Sequence, residues 1–530
     1  MSPPEVAAGV VEHPELAAGP TAHPELDVEE VKRRAIRGVG SMFVRSLGQR
    51  GVQMVGNILL ARWLAPETIG LWAVVSMFVG FAGLISDLGL SASLIQRNET
   101  LDEDDLRTGF TLNLGFNVVS VAVIWILAAP LARAYHAPSA VTGIRMLALT
   151  IMLSTFTFVP GVQLERRLKF NRITLADLLA QLAYIAVAIT LAIPYYLHPS
   201  LSTRNAHGAV WVFIWATVAS KCVQMVIVNT AYRWKPRFGF NAHAMRGMLA
   251  YGLPYQLNGI VNWLKDSFIP MFVALVAGAS AAGYIVWAAG MATNALFLLP
   301  IVQRVAFPAF ARLQHDTEAL REAIEKAIKW VAATVIPTVF LLAALGRQIV
   351  EHVYGTKWFI GLPAFYLLCL PMINAAYSTV MVSALYGVGR AKKVLQLTMI
   401  WGAAGWALGV PLTFVFPQYG YPLALCIVSC LSYMSVREMN KVVRVTFIPQ
   451  MVKIAVLAAI PSIPIALYCR FLVHNVFELA GVAVAGGVAY LVLMWLAGEL
   501  DEIVEMMRNS RTHRVPLGVP EPAPVSGGQS

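Results

Sequence analysis

Charged side chains are scarce in this sequence: Asp, Glu, Lys and Arg make up 13% of 530 residues, against 58% hydrophobic residues. A water-soluble domain of this length needs a charge-rich surface, so the composition excludes one. Cysteine is nearly absent as well. The five present, Cys222, Cys369, Cys426, Cys430 and Cys469, fall in or beside apolar runs. Cys426 and Cys430 stand one helical turn apart, a packing spacing, and the set offers neither a disulfide framework nor zinc-ligand spacing. The N-terminus lacks the apolar core of a signal peptide; roughly its first thirty residues are acidic and rich in Pro and Ala. There His13-Pro14-Glu15-Leu16 recurs as His23-Pro24-Glu25-Leu26, the mark of a low-complexity tail. No G-x-x-x-x-G-K-[ST] motif occurs, so nothing points to nucleotide hydrolysis, and no cofactor or metal is expected.

What is there is one long apolar run after another. Spans are expected near 39–62, 70–95, 110–131, 142–164, 174–195, 207–229, 249–276, 282–307, 328–346, 361–387, 394–416, 419–437, 451–472 and 476–497. Each run is about 20 residues, the length of a membrane-crossing helix; a barrel strand would be about half that and would alternate in polarity. The expectation is an all-α integral membrane protein of about 14 transmembrane helices. Between Arg304 and Lys329 an amphipathic stretch, with Ala319, Ile324, Ala327 and Ile328 on one side, reads as a surface helix at the lipid headgroups.

The basic residues fix an orientation. One set of loops holds Lys32, Arg33, Arg34 and Arg37, then Arg166, Arg167, Lys169 and Arg172, then Arg390, Lys392 and Lys393, and further clusters like them. The alternate loops hold only Arg62, Arg133, Arg145, Arg204, Arg347, Lys357 and Arg470. Positive residues collect on the cytoplasmic side, so both termini are expected there. The net charge of +11 follows this pattern and needs no nucleic acid to explain it. The loops on the other side are too short to hold a catalytic domain; Pro417-Gln418-Tyr419-Gly420 is close to a bare turn.

A weak internal repeat runs at an offset of 213 residues (283 − 70 = 213): Gly70-Leu71-Trp72 matches Gly283-Tyr284-Ile285, and Arg45, Gln49 and Gln53 match Asn258, Asn262 and Asp266. Repeated bundles with the substrate path between them are common in transporters.

The charges inside spans are Arg45 and Arg50, Asp87, Lys221, and Lys265 with Asp266. A charge at the bilayer centre costs about 3 kcal/mol on insertion scales, so these residues must face a wet cavity, pair, or reach the interface. Arg50, Gln53 and Asn57 recur at i, i+3, i+7, and Asn258, Asn262 and Lys265 at i, i+4, i+7, each a single helical stripe. Asp87 and Asp266 are open to two readings, internal ion pairs or cation sites; Arg45 is also placed to snorkel. The surplus of cations suits an anionic substrate, above all phosphate or pyrophosphate.

Three segments carry a family resemblance: Ala61-Arg62-Trp63-Leu64-Ala65-Pro66-Glu67-Thr68-Ile69-Gly70-Leu71-Trp72, Asp87-Leu88-Gly89-Leu90-Ser91-Ala92-Ser93-Leu94-Ile95-Gln96-Arg97, and the basic run Leu164-Glu165-Arg166-Arg167-Leu168-Lys169-Phe170-Asn171-Arg172. They resemble the bacterial polysaccharide transporter family, the Wzx-type lipid-linked oligosaccharide flippases of the multidrug/oligosaccharidyl-lipid/polysaccharide exporter superfamily. The similarity runs over most of 38–440. It implies two pseudo-symmetric six-helix lobes in a V, here 31–240 and 241–440, followed by two helices in 441–500, with cytoplasmic tails at 1–30 and 501–530. It implies a place in the bacterial cytoplasmic membrane and a substrate of undecaprenyl-pyrophosphate-linked repeat units for exopolysaccharide, capsule or O-antigen. A polymerase and glycosyltransferases of the same route are the implied partners, beside membrane lipids. Arg45 and Arg50 are the best-matched functional positions. The expected substrate site is Arg45, Arg50, Gln53, Asn57, Lys221, Asn262 and Lys265, with Trp263 and Trp287 to stack on sugars. Asp87 and Asp266 are held for ion coupling or ion pairing, and no catalytic residue is expected. A cation-coupled drug or metabolite antiporter of the same fold is the competing reading; a membrane enzyme is disfavoured by the short outer loops.

Overall fold

A computed structural model describes residues 48–96, 101–135, 137–138, 140–167, 169–198, 200–201 and 205–499. It divides into two compact units, Met1–Val52 and Gln53–Ser530. Of the first, residues 48–52 are described and helical. The second unit is all helix, with no strand among the described residues.

Its elements are α1 (53–63), α2 (Pro66–Asp87), α3 (Leu90–Gln96), α4 (Glu103–Ala134), α5 (Ala140–Arg166), α6 (Phe170–Leu197) and α7 (Ala206–Ala231). Then follow α8 (Ala242–Ala277), α9 (Ala279–Thr293), α10 (Leu299–Arg312), α11 (Thr317–Gln348), α12 (Leu362–Gly387) and α13 (Ala391–Val415). The chain ends in α14 (Gly420–Ser429), α15 (Tyr433–Met439), α16 (Ile448–Leu472) and α17 (Val476–Leu496). Eleven described helical segments are long and apolar enough to cross a membrane. Large apolar side chains stand on their outer faces, Phe477 at 88% exposure and Ile126 at 74% among them. Water would penalise such a surface and lipid would not. The protein is a multi-pass membrane protein.

Three expected spans are broken. The run 70–95 is two helices, because Leu88 adopts a left-handed conformation (φ 41°) and Gly89 follows at φ 74°. Such angles end a right-handed helix. The run 282–307 is interrupted by a 3-10 turn at Asn294–Leu296, with Pro300 in the first turn of α10. The run 419–437 tightens into a 3-10 turn at Cys430–Ser432. The first span, 39–62, lies partly outside the described residues.

The amphipathic stretch before Lys329 is not a separate headgroup helix. Asp316 caps it, accepting from the N–H groups of Glu318 and Ala319 at 3.1 and 3.0 Å, and it runs on as the first turns of the 32-residue α11. Leu320, Ile324 and Ile328 are fully buried in a core shared with α10, α12 and α15. An apolar stripe is equally satisfied by lipid or by neighbouring helices, and here the helices take it.

The repeat has a physical counterpart. A Cβ on Gly70 would overlap the Ala279 carbonyl and lie 2.9 Å from Gly283 N. One on Gly283 would overlap the Pro66 carbonyl and lie 3.1 Å from Gly70 N. Since 66 + 213 = 279 and 70 + 213 = 283, position 70 meets the partner of 66, and the partner of 70 meets 66. That reciprocity is the signature of a two-fold, isologous contact, made here by α2 and α9. Glycine at both centres is what lets two backbones touch.

A second interlock joins α1 to the turn between α11 and α12. Lys357 Nζ donates to the carbonyls of Arg62 and Leu64 at 2.8 and 2.7 Å, and Trp358 Nε1 to that of Ala61 at 2.9 Å. Arg62 answers by donating to the carbonyls of His352 and Val353 at 2.6 and 2.8 Å. Terminal helix carbonyls have no partners within their own helix and carry partial negative charge, so each helix end receives the other's cation.

Candidate functional site

A cavity of about 560 Å³ lies among α2, α5 and α7, inside helices that otherwise present apolar faces. Three stripes build its polar walls. Helix α2 contributes Ser76, Gly80, Gly83 and Asp87, and α5 contributes Thr150, Ser154, Thr157, Gly161 and Glu165. Helix α7 adds Thr217 and Lys221. Steps of three and four residues put each set on one helical face. Trp72, Val79, Ile151 and Phe158 supply apolar wall between them.

The carboxylate of Asp87 sits at the break between α2 and α3. It accepts from the Ser91 hydroxyl at 2.7 Å and from the Ser91 N–H at 3.4 Å, so it also caps α3. Lys221 Nζ donates to Gln224 Oε1 at 3.2 Å, and Gln224 Nε2 donates to Asp177 Oδ1 at 3.0 Å. A buried amide pair braces α4 against α5, and its Asn113 lines the cavity: Asn117 donates to Asn113 Oδ1 at 3.1 Å and to the Thr155 hydroxyl at 2.5 Å.

A second cavity, about 540 Å³, lies among α11, α16 and α17. Its walls are mostly apolar, with Pro337, Leu341, Leu345, Leu479 and Ala483 among them. At one end of these helices Glu499 joins Lys329 and Lys453, each at 2.5 Å.

The expected site residues fare unequally. The structure brings Asp87 and Lys221 into one cavity. Gln53 and Asn57 are exposed on α1, and Arg50 is exposed in the first unit. Arg45 lies outside the described residues, as do the side chains of Asn262, Lys265 and Asp266, whose backbones belong to α8. Trp263 packs on Phe81, ring centroids 4.8 Å apart. Trp287 is corrected: it is 6% exposed, stacked on Trp358 at 5.1 Å and edge-on to Tyr354, hence a core residue that no sugar reaches. The sequence reading missed Glu165 and the hydroxyl stripe of α5. Glu165 lies past the expected end of its span at 164, beside the basic run, whereas the helix continues to Arg166 and keeps it on the cavity face.

The fold is that of a membrane transporter. Over 86% of this chain and 98% of its own, the inward closed conformation of the lipid II flippase MurJ superposes with a TM-score of 0.66 at 12% identity. An inward-facing multidrug resistance MATE family transporter of the MOP superfamily superposes with a TM-score of 0.56 at 16% identity, over 76% of this chain and 95% of that one. At such identities the likeness establishes the fold. The family is established by sequence: the model for polysaccharide biosynthesis proteins matches residues 59–363, more than half of the chain, which therefore belongs to that family. Among its relatives is the lipopolysaccharide biosynthesis protein WzxC of Escherichia coli, 26% identical over 69% of this chain and 75% of its own. The succinoglycan biosynthesis transport protein ExoT of Rhizobium meliloti is 24% identical over 92% of this chain and 98% of its own.

Proposed function

We propose that the protein is a flippase that moves undecaprenyl-pyrophosphate-linked oligosaccharide repeat units from the inner to the outer leaflet of the bacterial cytoplasmic membrane, for exopolysaccharide, capsule or O-antigen. The observation that carries this reading is a cavity inside a bundle of apolar helices whose walls set hydroxyls, two carboxylates and an ammonium among apolar side chains. Its setting supports it: a polysaccharide biosynthesis family member with the fold of a lipid II flippase.

The headgroup of such a lipid cannot cross about 30 Å of hydrocarbon without a substitute for its hydration. In this reading the halves 31–240 and 241–440 rock about the reciprocal glycine contact of α2 and α9. Arg45, Arg50, Gln53 and Asn57, with Asn262 and Lys265, hold the pyrophosphate, and Lys221 faces the headgroup. The apolar cavity among α11, α16 and α17 matches the chemistry of a prenyl chain. The basic loops and both termini are cytoplasmic, so the Arg62–Lys357 interlock closes the outer end. Asp87 or Asp266 binds the coupling cation. A polymerase and glycosyltransferases of the same route supply and consume the substrate.

Arg50→Ala is expected to abolish polymer export with normal membrane insertion, and Arg50→Lys to retain part of it, because a point charge replaces a two-pronged donor. Full export from the alanine variant at normal protein level removes Arg50 from the substrate site. The reading as a whole is tested by deleting the gene and extracting lipids: undecaprenyl-linked repeat units accumulate on the cytoplasmic leaflet. One observation favours a second reading. Two carboxylates line the cavity against one ammonium, as a cation-coupled antiporter would require, and that reading predicts unchanged lipids with altered drug sensitivity.

A further inference from the structure

The donor and acceptor inventory of the α2–α5–α7 cavity is lopsided. Six wall hydroxyls already donate to carbonyls of their own helices. Ser76 and Ser86 bond to Ala73 and Gly83 at 3.1 and 2.8 Å, and Thr150 and Ser154 to Leu147 and Ile151, each at 2.6 Å. Thr157 and Thr217 bond to Ser154 and Phe213, each at 2.8 Å. A hydroxyl has one proton and two lone pairs, so these six turn only lone pairs toward the cavity. Asp87 and Glu165, ionised, also only accept. Against them stand the Lys221 ammonium, the Trp72 indole N–H and the Asn113 amide, which also donates to the Ser86 carbonyl at 3.5 Å.

We infer that this cavity is a subsite for sugar hydroxyls and does not hold the pyrophosphate. The inference rests on the proposed lipid-linked oligosaccharide substrate and assigns its sugar part to a place. An ionised phosphate is an acceptor and an anion. It would meet six sets of lone pairs and two carboxylates, with Lys221 the one cation among the lining residues and the Asn113 amide and Trp72 indole N–H the neutral donors beside it. An organic cation would match Asp87 and Glu165 but would lie beside Lys221. A sugar uses all three kinds of wall. Its O–H groups donate to the carboxylates and serine or threonine oxygens, its oxygens accept from Lys221, and its C–H face lies on Trp72. The volume, about 560 Å³, is within the range of about 300–1,000 Å³ found for small-molecule sites. No cluster of His, Cys, Asp and Glu able to hold a metal ion occurs among the described residues, so the two carboxylates do not form part of one.

A thiol placed in the cavity reads its occupancy. A Cβ on Gly161 or on Gly83 meets nothing within 4 Å, so either position accepts cysteine. The experiment uses the full chain with its five native cysteines replaced by serine or alanine, purified in detergent, carrying Gly161→Cys. The rate of labelling by a small methanethiosulfonate is measured with each probe in turn. The probes are neutral disaccharides of hexoses, N-acetylhexosamines and 6-deoxyhexoses, inorganic pyrophosphate, and tetraphenylphosphonium. At three times its Kd a disaccharide slows labelling about fourfold, since the free fraction falls as 1 + [L]/Kd. Glu165→Gln on the same background is expected to raise the sugar concentration needed by about tenfold, the loss of one charge-assisted hydrogen bond. Protection by at least one disaccharide, weakened by Glu165→Gln and absent with the other two probes, is the expected result. Protection by pyrophosphate or tetraphenylphosphonium, sugar protection indifferent to Glu165→Gln, or no protection by any disaccharide overturns it. Should Gly161→Cys fail to fold, Gly83→Cys on the facing helix carries the same measurement. Lipid accumulation in the deletion strain keeps the two proposals apart. If it occurs and no sugar protects, the subsite falls and the flippase stands; if sugars protect and no lipid accumulates, the flippase falls.

Discussion

Alanine at Gly70 or at Gly283 is expected to remove most of the folded protein. Each would set a methyl group inside a backbone carbonyl of the other half, that of Ala279 or Pro66. Overpacking usually costs about 1–3 kcal/mol because side chains rotate aside. Here the obstacle is main chain on both sides, in helices that cannot separate locally, so the upper end of that range or more is expected. The two substitutions act on one contact. The double variant should therefore be less destabilised than the sum of the singles, since once α2 and α9 have parted the second methyl finds room. Thermal melting of the detergent-solubilised protein checks both statements. A Gly70→Ala protein that melts with the parent would mean that the helices do not approach as described, and the structural basis for the repeat would go with it.

Glu499→Ala is expected to free the last two helices. Glu499 is 13% exposed and accepts from Lys329, itself 9% exposed, and from the more open Lys453, so it ties the end of α17 to α11 and α16. Removing the acid takes one carboxylate from the largely buried Lys329 ammonium, and the expected cost lies below the about 3–5 kcal/mol of a fully uncompensated buried charge. Burial by itself pushes the Glu499 carboxyl up, but the ammonium groups of Lys329 and Lys453 more than offset this and hold it below its ordinary value of 4.5. A depressed carboxylate stabilises the fold above its unfolded pKa, and that contribution is lost as pH falls through the folded value. The parent should therefore lose stability on acidification below about pH 4.5, and Glu499→Gln should lack that component. Proteolysis in the turn at residues 473–475, between α16 and α17, reports the loosening. Equal resistance in parent and Glu499→Ala would show that the triad holds nothing together.

The helical membrane architecture was legible because hydropathy reports burial in lipid directly, and each expected span is mostly helix where its residues are described. The interruptions were not legible. A leucine at φ 41° has no sequence signal of its own, and Gly89 beside it looked like one more small residue in an apolar run. The amphipathic turns before Lys329 were misassigned because an apolar stripe does not say whether lipid or protein will cover it. The pairing of Gly70 with Gly283 was visible as an offset, but its meaning, two backbones in contact, appears only in three dimensions. At the cavity, Asp87 and Lys221 stood out as charges in apolar surroundings. Thr150, Ser154 and Thr157 did not, although their spacing of four and three residues was present all along. Serine and threonine are common in membrane helices, where a back-bond to the helix satisfies them, so their stripe has no significance until a cavity is found beside it.

The central claim is that the protein carries the polar end of a lipid-linked oligosaccharide across a bilayer. Reconstitution into liposomes containing an undecaprenyl-pyrophosphate-linked oligosaccharide tests it most directly, with a membrane-impermeant periodate added outside to oxidise every sugar it can reach. Empty liposomes should yield only their outer-leaflet fraction. With the protein present, sugars of the inner leaflet should be oxidised as well. If the protein is folded and inserted and the oxidised fraction still equals that of empty liposomes, the substrate assigned here is wrong.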